Sequence, residues 1–360
     1  MTRVAAVQTK RRSIDYKLAA PDALAHVERN LNELASLAER AATQGCEIIA
    51  FPEDTLGTLE WESGNWGQAP DVLAPAEPMM LERLGEIAKA NGMNIICCND
   101  CVGEGGIYNT AILLGRDGRE IGRYRKVNLP IHEQSRARGD SFPVFDVPGI
   151  GPVGMCICYD MVFPETTRAL ALAGADIVFH LTMGGASMAG EDASLAAFRT
   201  RAADNFIYLV VAFRGGGSLI IGPKGDILAE GGSEPDAIVM ADIDLATGRD
   251  AGDAIGGLTT DFRARLFAER TPSAYGILTE ERPPVLDRLR DIPVPSGEEA
   301  SALGAEALTR GADAFYRADA LLAEGKLEEA RTQFEELAAK YGTIWIANVA
   351  RERLEVISAR

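Results

Sequence analysis

The chain has 360 residues, an ordinary apolar share of 47% and a formal net charge of −17. That length suits one large domain or two smaller ones, and no apolar run approaches a membrane span. The acidic balance argues against nucleic acids and anionic membrane surfaces as partners.

The N-terminus, MTRVAAVQTK, enters a strand-like run at Arg3 to Gln8 without the apolar core of a signal peptide, so the cytoplasm is the expected compartment. Leu24, Val27, Leu31, Leu34, Leu37 and Ala41 form a helical stripe between Pro21 and Thr43. Cys46 to Phe51, apolar throughout except for Glu47, reads as a buried strand, and it stops at Pro52-Glu53. Thr55 to Ala76 reads as a loop containing Trp61 and Trp66, which are candidates to wall a pocket or a dimer contact. A helix is predicted over Pro78 to Asn91. Strands follow at Asn94 to Cys98 and Ile107 to Leu114. Asp117-Gly118 is a hairpin signal, and the return strand, Arg119 to Arg125, delivers Lys126. Lysine is scarce here: Lys126 is one of seven among 36 basic residues, which singles it out mildly.

Val144 to Val147 and Val153 to Ile157 are strands. The second ends abruptly at Cys158-Tyr159-Asp160, and Pro164 then opens a helix, Thr166 to Gly174. Cys158 therefore belongs at a sharp strand-to-helix turn, where a nucleophile is exposed and backbone N–H groups meet developing negative charge. A strand at Ile177 to Leu181 carries His180. Gly184 to Gly190 has the small-residue composition of a lid. Helix Ala193 to Asn205, strand Ile207 to Ala212 and a meander to Ile243 complete an α/β pattern in two similar halves. The six cysteines (46, 97, 98, 101, 156 and 158) read as free thiols. Cys98 and Cys101 form a lone pair without a second one, so no metal or cofactor is expected.

The catalytic domain is expected over residues 1–285. A Pro- and acid-rich linker is expected over 286–303. Beyond it, 304–360 is rich in Ala, Leu, Glu and Arg and is expected to form three helices: Ala307 to Ala323, Leu327 to Tyr341, and Ile344 to about Ile357.

Glu53, Lys126 and Cys158 each end a strand, and strand ends gather into one site in an α/β layer. A thiol there attacks a carbonyl carbon, with its pKa open to depression by a nearby cation. A carboxylate takes and returns the proton. An ammonium, with the backbone N–H of Tyr159, stabilises the oxyanion. That combination is acyl transfer from an amide, imide or nitrile carbon through a thioester.

These motifs resemble the nitrilase superfamily of carbon–nitrogen hydrolases. Phe51-Pro52-Glu53 matches the glutamate motif, and Tyr124-Arg125-Lys126-Val127-Asn128-Leu129 the lysine motif. Ile157-Cys158-Tyr159-Asp160 with Phe163-Pro164-Glu165 matches the cysteine motif. Ala5 to Gln8, Tyr108-Asn109-Thr110-Ala111, Arg201 to Asn205, and Ser218 with Pro223-Lys224-Gly225 add support, so the likeness spans residues 1–280. It implies an αββα sandwich that usually pairs into a homodimer or larger homo-oligomer. It implies Glu53 as general base, Lys126 as oxyanion stabiliser and Cys158 as nucleophile, with Glu133 as the second glutamate that positions the lysine and substrate. Cys-Tyr-Asp points to the amidase and carbamoylase branches, since nitrile-cleaving members usually carry Trp-Glu after the cysteine. Asn128 stands where histidine is usual, Asp204 where glutamate is usual, and Phe213-Arg214 where asparagine is usual. Arg214 is a candidate for binding a substrate carboxylate.

The C-terminal helices resemble a single tetratricopeptide-like unit over Ala320 to Leu337. One unit cannot bury its face alone, so it is expected to dock on the catalytic domain, another subunit or a partner. The expected activity is hydrolysis of a carboxamide, N-carbamoyl or ureido group of a small-molecule substrate, releasing ammonia or an amine. An acyltransferase on the same three residues is the competing enzyme. A catalytically idle scaffold acting through its C-terminal helices is the competing class, to be distinguished by an inert Cys158.

Overall fold

Short strands buried on both faces build two six-stranded mixed sheets in the computed structural model, which describes residues 1–183, 191–246, 262–342 and 344–358. The first sheet runs, in spatial order, β12 (Ala237–Ile243), β1 (Thr2–Gln8), β2 (Ile48–Ala50), β3 (Asn94–Gly103), β4 (Gly106–Leu114) and β5 (Glu120–Arg125). The second runs β11 (Ile227–Glu230), β10 (Leu219–Ile221), β9 (Tyr208–Phe213), β8 (Ile177–Thr182), β7 (Gly151–Ile157) and β6 (Val144–Val147). In each sheet the three central strands are parallel: β1, β2 and β3 in one, β7, β8 and β9 in the other.

Strand periodicity explains the layers. Val4, Ala6, Ile48 and Ala50 face the second sheet, in one core with Ile157, Phe179 and Val210. Ala5, Val7, Ile49 and Phe51 face outward, onto helices α1 (Ala20–Thr43) and α3 (Ala69–Asn91), where Leu34, Val72 and Leu84 cover them. The second sheet is covered in the same way: Val178, Leu209 and Val211 pack with Leu170 of α4 (Pro164–Leu172) and Ala202 of α5 (Glu191–Asn205). The architecture is the expected αββα sandwich. The candidate lid at Gly184 to Gly190 lies outside the described residues.

Four elements depart most from the sequence reading. The segment after Glu53 contains α2 (Leu59–Gly64), and α3 starts at Ala69 and runs through Pro75 and Pro78. Each proline removes one backbone donor, and burial of Val72, Leu73 and Ala76 offsets that loss. Strand β3 continues five residues beyond Cys98, because Asn99 and Asp100 are buried polar residues of the strand rather than a break. Finally, α8 (Gly297–Glu306) occupies part of the span read as linker, and its start is a capping box between Ser296 and Glu299.

The C-terminal extension follows α6 (Phe262–Ala268) and α7 (Val285–Leu289). Helix α8 continues through a π turn, Ala307–Gly311, into α9 (Ala312–Ala323), and α10 (Leu327–Tyr341) and α11 (Trp345–Ser358) complete it. Its core contains Ala318, Leu322, Phe334, Leu337 and Ile346. No helix among the described residues is long and apolar enough to cross a membrane.

Candidate active site

The ends of β2, β5 and β7 meet, and they bring three of the sequence-selected residues together. Pro52 and Glu53 follow β2, and Lys126 directly follows β5, its N–H bonded to Asn109 O at 2.9 Å. Cys158 directly follows β7 and opens a short 3-10 turn, Cys158–Val162, with φ at 44°. A positive φ is strained for any residue with a Cβ, and such strain persists only where the surroundings enforce it.

Asp160 supplies that enforcement. Its buried carboxylate accepts from Ile157 N (3.0 Å), Tyr124 Oη (2.6 Å), Asn128 N (2.9 Å) and Asn128 Nδ2 (2.9 Å). One side chain thus ties the cysteine turn to the residues on both sides of Lys126. Asn128 also donates to Thr166 Oγ1 at 3.2 Å, so asparagine serves this junction where histidine was expected.

Lys126 is fully buried, and its Nζ lies 3.1 Å from Glu53 Oε1 and 2.8 Å from Glu133 Oε2. Burial opposes its charge, but Glu133 and Glu53 outweigh burial and hold the ammonium well above the ordinary lysine range. The same pairing, with Arg136, holds Glu133 below the usual carboxylate range in spite of burial. Glu53 is fixed further by Asn109 Nδ2 at 2.8 Å and by Met183 N at 3.3 Å. Glu133 sits on a 3-10 turn, Ile131–Glu133.

The thiol of Cys158 departs from the expected depression. Burial pushes it up, the Glu53 and Glu133 carboxylates push it further, and Lys126 and the Thr182 hydroxyl do not compensate. Charge counting gives the reason: two carboxylates already exceed one ammonium, so a thiolate would be a third anion on one cation. The resting thiol is neutral.

A small, solvent-connected pocket of about 20 Å³ adjoins Glu53, Glu133, Asn109 and Met183. Its far wall was not legible in the sequence: Arg136 bonds Asp100 at 2.6 Å, lies 3.6 Å from Glu62, and stacks 5.2 Å from the Trp66 ring. No local motif marks these three charged residues, whereas Asn109, Tyr124 and Asp160 all lie inside motifs already singled out.

Other candidates fall elsewhere. Arg214 is spent on Asp54 at 2.8 Å. His180 is buried against Cys156 Sγ at 3.6 Å and Phe198, and burial lowers its pKa to about 3, so it is a neutral core residue. Trp61 is fully buried and donates to Leu18 O, so it walls neither pocket nor surface. The ring of Tyr159 packs edge-on against Phe163. Cys98 and Cys101 point into different cores, on opposite faces of β3, which no single ion bridges. Among the described residues no group of three or more His, Cys, Asp or Glu is placed to hold a metal.

Two outcomes follow from this geometry. Because the thiol is neutral at rest, alkylation of the free protein at Cys158 by iodoacetamide should accelerate about tenfold per pH unit through pH 9; a plateau below pH 8 would contradict it. Lys126→Met should cost about 3–5 kcal/mol in urea unfolding at pH 7 by leaving two buried carboxylates unpaired. Lys126 is the main charge holding Glu133 below the usual carboxylate range, so without it Glu133 takes up a proton more readily, and the cost is largest at high pH and shrinks as the pH falls; a pH-independent cost would count against the pairing.

The carbon–nitrogen hydrolase family model matches residues 3–253. The omega-amidase of Homo sapiens is 30% identical over 245 residues, covering 60% of this chain and 83% of its own. A deaminated glutathione amidase from Synechocystis is 28% identical over 244 residues, covering 61% and 87%. An amidase from Nesterenkonia sp. AN1 superposes with a TM-score of 0.60 at 25% identity, covering 76% of this chain and 98% of that one. A variant of that amidase, at 26% identity, TM-score 0.57 and coverages of 70% and 96%, carries acrylamide added at its active-site cysteine. A sandwich of this topology, matched by the family model over well over half of its length, belongs to the carbon–nitrogen hydrolases, and the chain is an amidase-type member acting on non-peptide C–N bonds.

Proposed function

We propose that the chain hydrolyses a small carboxamide, N-carbamoyl or ureido compound through a thioester on Cys158. The observation that carries this reading is the buried Lys126 ammonium held between Glu53 and Glu133 beside the strained Cys158 turn. Glu53 takes the thiol proton as the sulfur–carbon bond forms. Negative charge then moves from the carboxylate to the carbonyl oxygen, beside Lys126 and the backbone N–H of Tyr159. The number of charges around Lys126 is unchanged, so a neutral resting thiol is compatible with attack. Collapse breaks the C–N bond, and protonated Glu53 returns its proton to the leaving nitrogen, as ammonia or an amine. Water, deprotonated by Glu53, then attacks the thioester. The C–S bond breaks, the acid leaves, and the thiol is restored.

Glu133 holds the ammonium at the oxyanion position and lowers the reorganisation that attack requires. Relatives that are amidases, one with a modified active-site cysteine, support this assignment. The proposed substrate is a small molecule, and the proposed compartment is the cytoplasm. Exposed Ile277, Leu278, Leu286, Ile292 and Val294 support a homo-oligomer.

The test is ammonia release from a panel of primary amides, N-carbamoyl amino acids and ureido acids. Cys158→Ala should lower kcat at least 10³-fold, on the order seen when a covalent nucleophile is lost. Release that survives this change would remove Cys158 as the nucleophile.

A further inference from the structure

Glycine weakens a helix interior, so Gly304, inside α8, calls for a reason, and Gly297 opens the same helix. In α8, Gly297 and Gly304 are seven residues apart, two turns on the same face. A Cβ on Gly304 would lie 3.0 Å from His132 Cβ, and one on Gly297 would lie 3.2 Å from Gln134 Cβ. The helix therefore touches the residues immediately before and after Glu133. At Gly304 the contact is tighter than side chains normally make, so any side chain there would have to push His132 aside by a few tenths of an ångström.

Apart from the Glu133 bond to Lys126 and the Arg136 bond to Asp100, the turn beneath is held by local contacts. Glu133 N–H bonds Pro130 O, and Arg136 N–H bonds Glu133 O, both local contacts. The Gln134 side chain reaches only as far back as Leu129 O and Pro130 O. The extension, by contrast, is anchored twice on the catalytic body. Arg11 donates to Tyr316 Oη of α9. On the same helix, Asp313 accepts from Tyr16 Oη at 3.1 Å and pairs with Lys17.

We infer that the C-terminal extension is part of the active-site frame: α8, through Gly297 and Gly304, clamps the Ile131–Glu133 turn so that Glu133 stays seated on Lys126. The two glycines are positioning residues, and the inference rests on the role proposed above for Glu133. It gives the extension a task within its own chain, distinct from recruiting a partner.

The experiment uses the full-length chain carrying Gly304→Leu, which drives a side chain against His132. Its kcat for amide hydrolysis should fall about 100-fold, as an ångström-scale misplacement does, with the thermal midpoint near that of the unsubstituted chain. Adding His132→Ala removes the group that the new side chain meets and should restore kcat to within about threefold. Hydrogen exchange at the amides of residues 131–136 should quicken in the single variant and return in the double one. A folded Gly304→Leu chain with unchanged kcat and exchange would overturn the inference, and so would a loss that His132→Ala does not reverse. If the unsubstituted chain releases no ammonia from any amide, the proposed function fails, and the exchange measurement alone decides the clamp.

Discussion

A fully buried ammonium cannot persist without compensation, and everything at the centre of this molecule answers to Lys126. Moving such a charge out of water costs several kcal/mol even after relaxation, so anionic partners must be held in place before the residue is tolerable. Glu53 and Glu133 provide that compensation at 3.1 and 2.8 Å. They come from opposite kinds of structure. Glu53 is fixed by the end of a parallel strand in the sheet, while Glu133 rides on a short turn that the sheet does not fix. The first is preorganised by the sandwich itself. The second depends on what is packed behind it, and there the helical extension meets the catalytic body.

Burial holds the Cys158 proton on sulfur, and the one excess negative charge left by the two carboxylates adds to it. A lone cation beside Cys158 would favour thiolate. This cation is already neutralised, so the proton stays on sulfur until a substrate carbonyl offers somewhere better for the charge. Asp160 plays a parallel structural role. Its hydrogen bonds join the cysteine turn to Tyr124 and Asn128, so the nucleophile and the ammonium are located by the same buried carboxylate.

Much of this was legible in the sequence where one local rule dominates. Strands such as Ile48–Ala50 and the run Val153 to Ile157 are apolar on both faces, which is what a buried parallel strand requires. Their abrupt ends at Glu53 and Cys158 mark the site. Reading failed where tertiary burial overrides a local rule. Prolines 75 and 78 hid the first half of α3, and Asn99-Asp100 disguised a continuing strand. Arg136 and Asp100, 36 residues apart, meet only in the folded chain, and no local pattern announces such a pair. The start of α8 was readable, since Ser296 and Glu299 have capping-box spacing, but the surrounding prolines outweighed it. The depression expected at Cys158 failed for a related reason. It considered the cation and neither the burial of the thiol nor the two anions that the fold places on that cation.

The central claim is a covalent bond between Cys158 and the acyl group of an amide. The most direct test is to quench a turnover mixture of the unsubstituted chain and a small carboxamide in acid and weigh its peptides. The account predicts that the peptide bearing Cys158 gains the mass of the amide less ammonia. Sustained turnover with that peptide unmodified, or with the added mass on another residue, would contradict it.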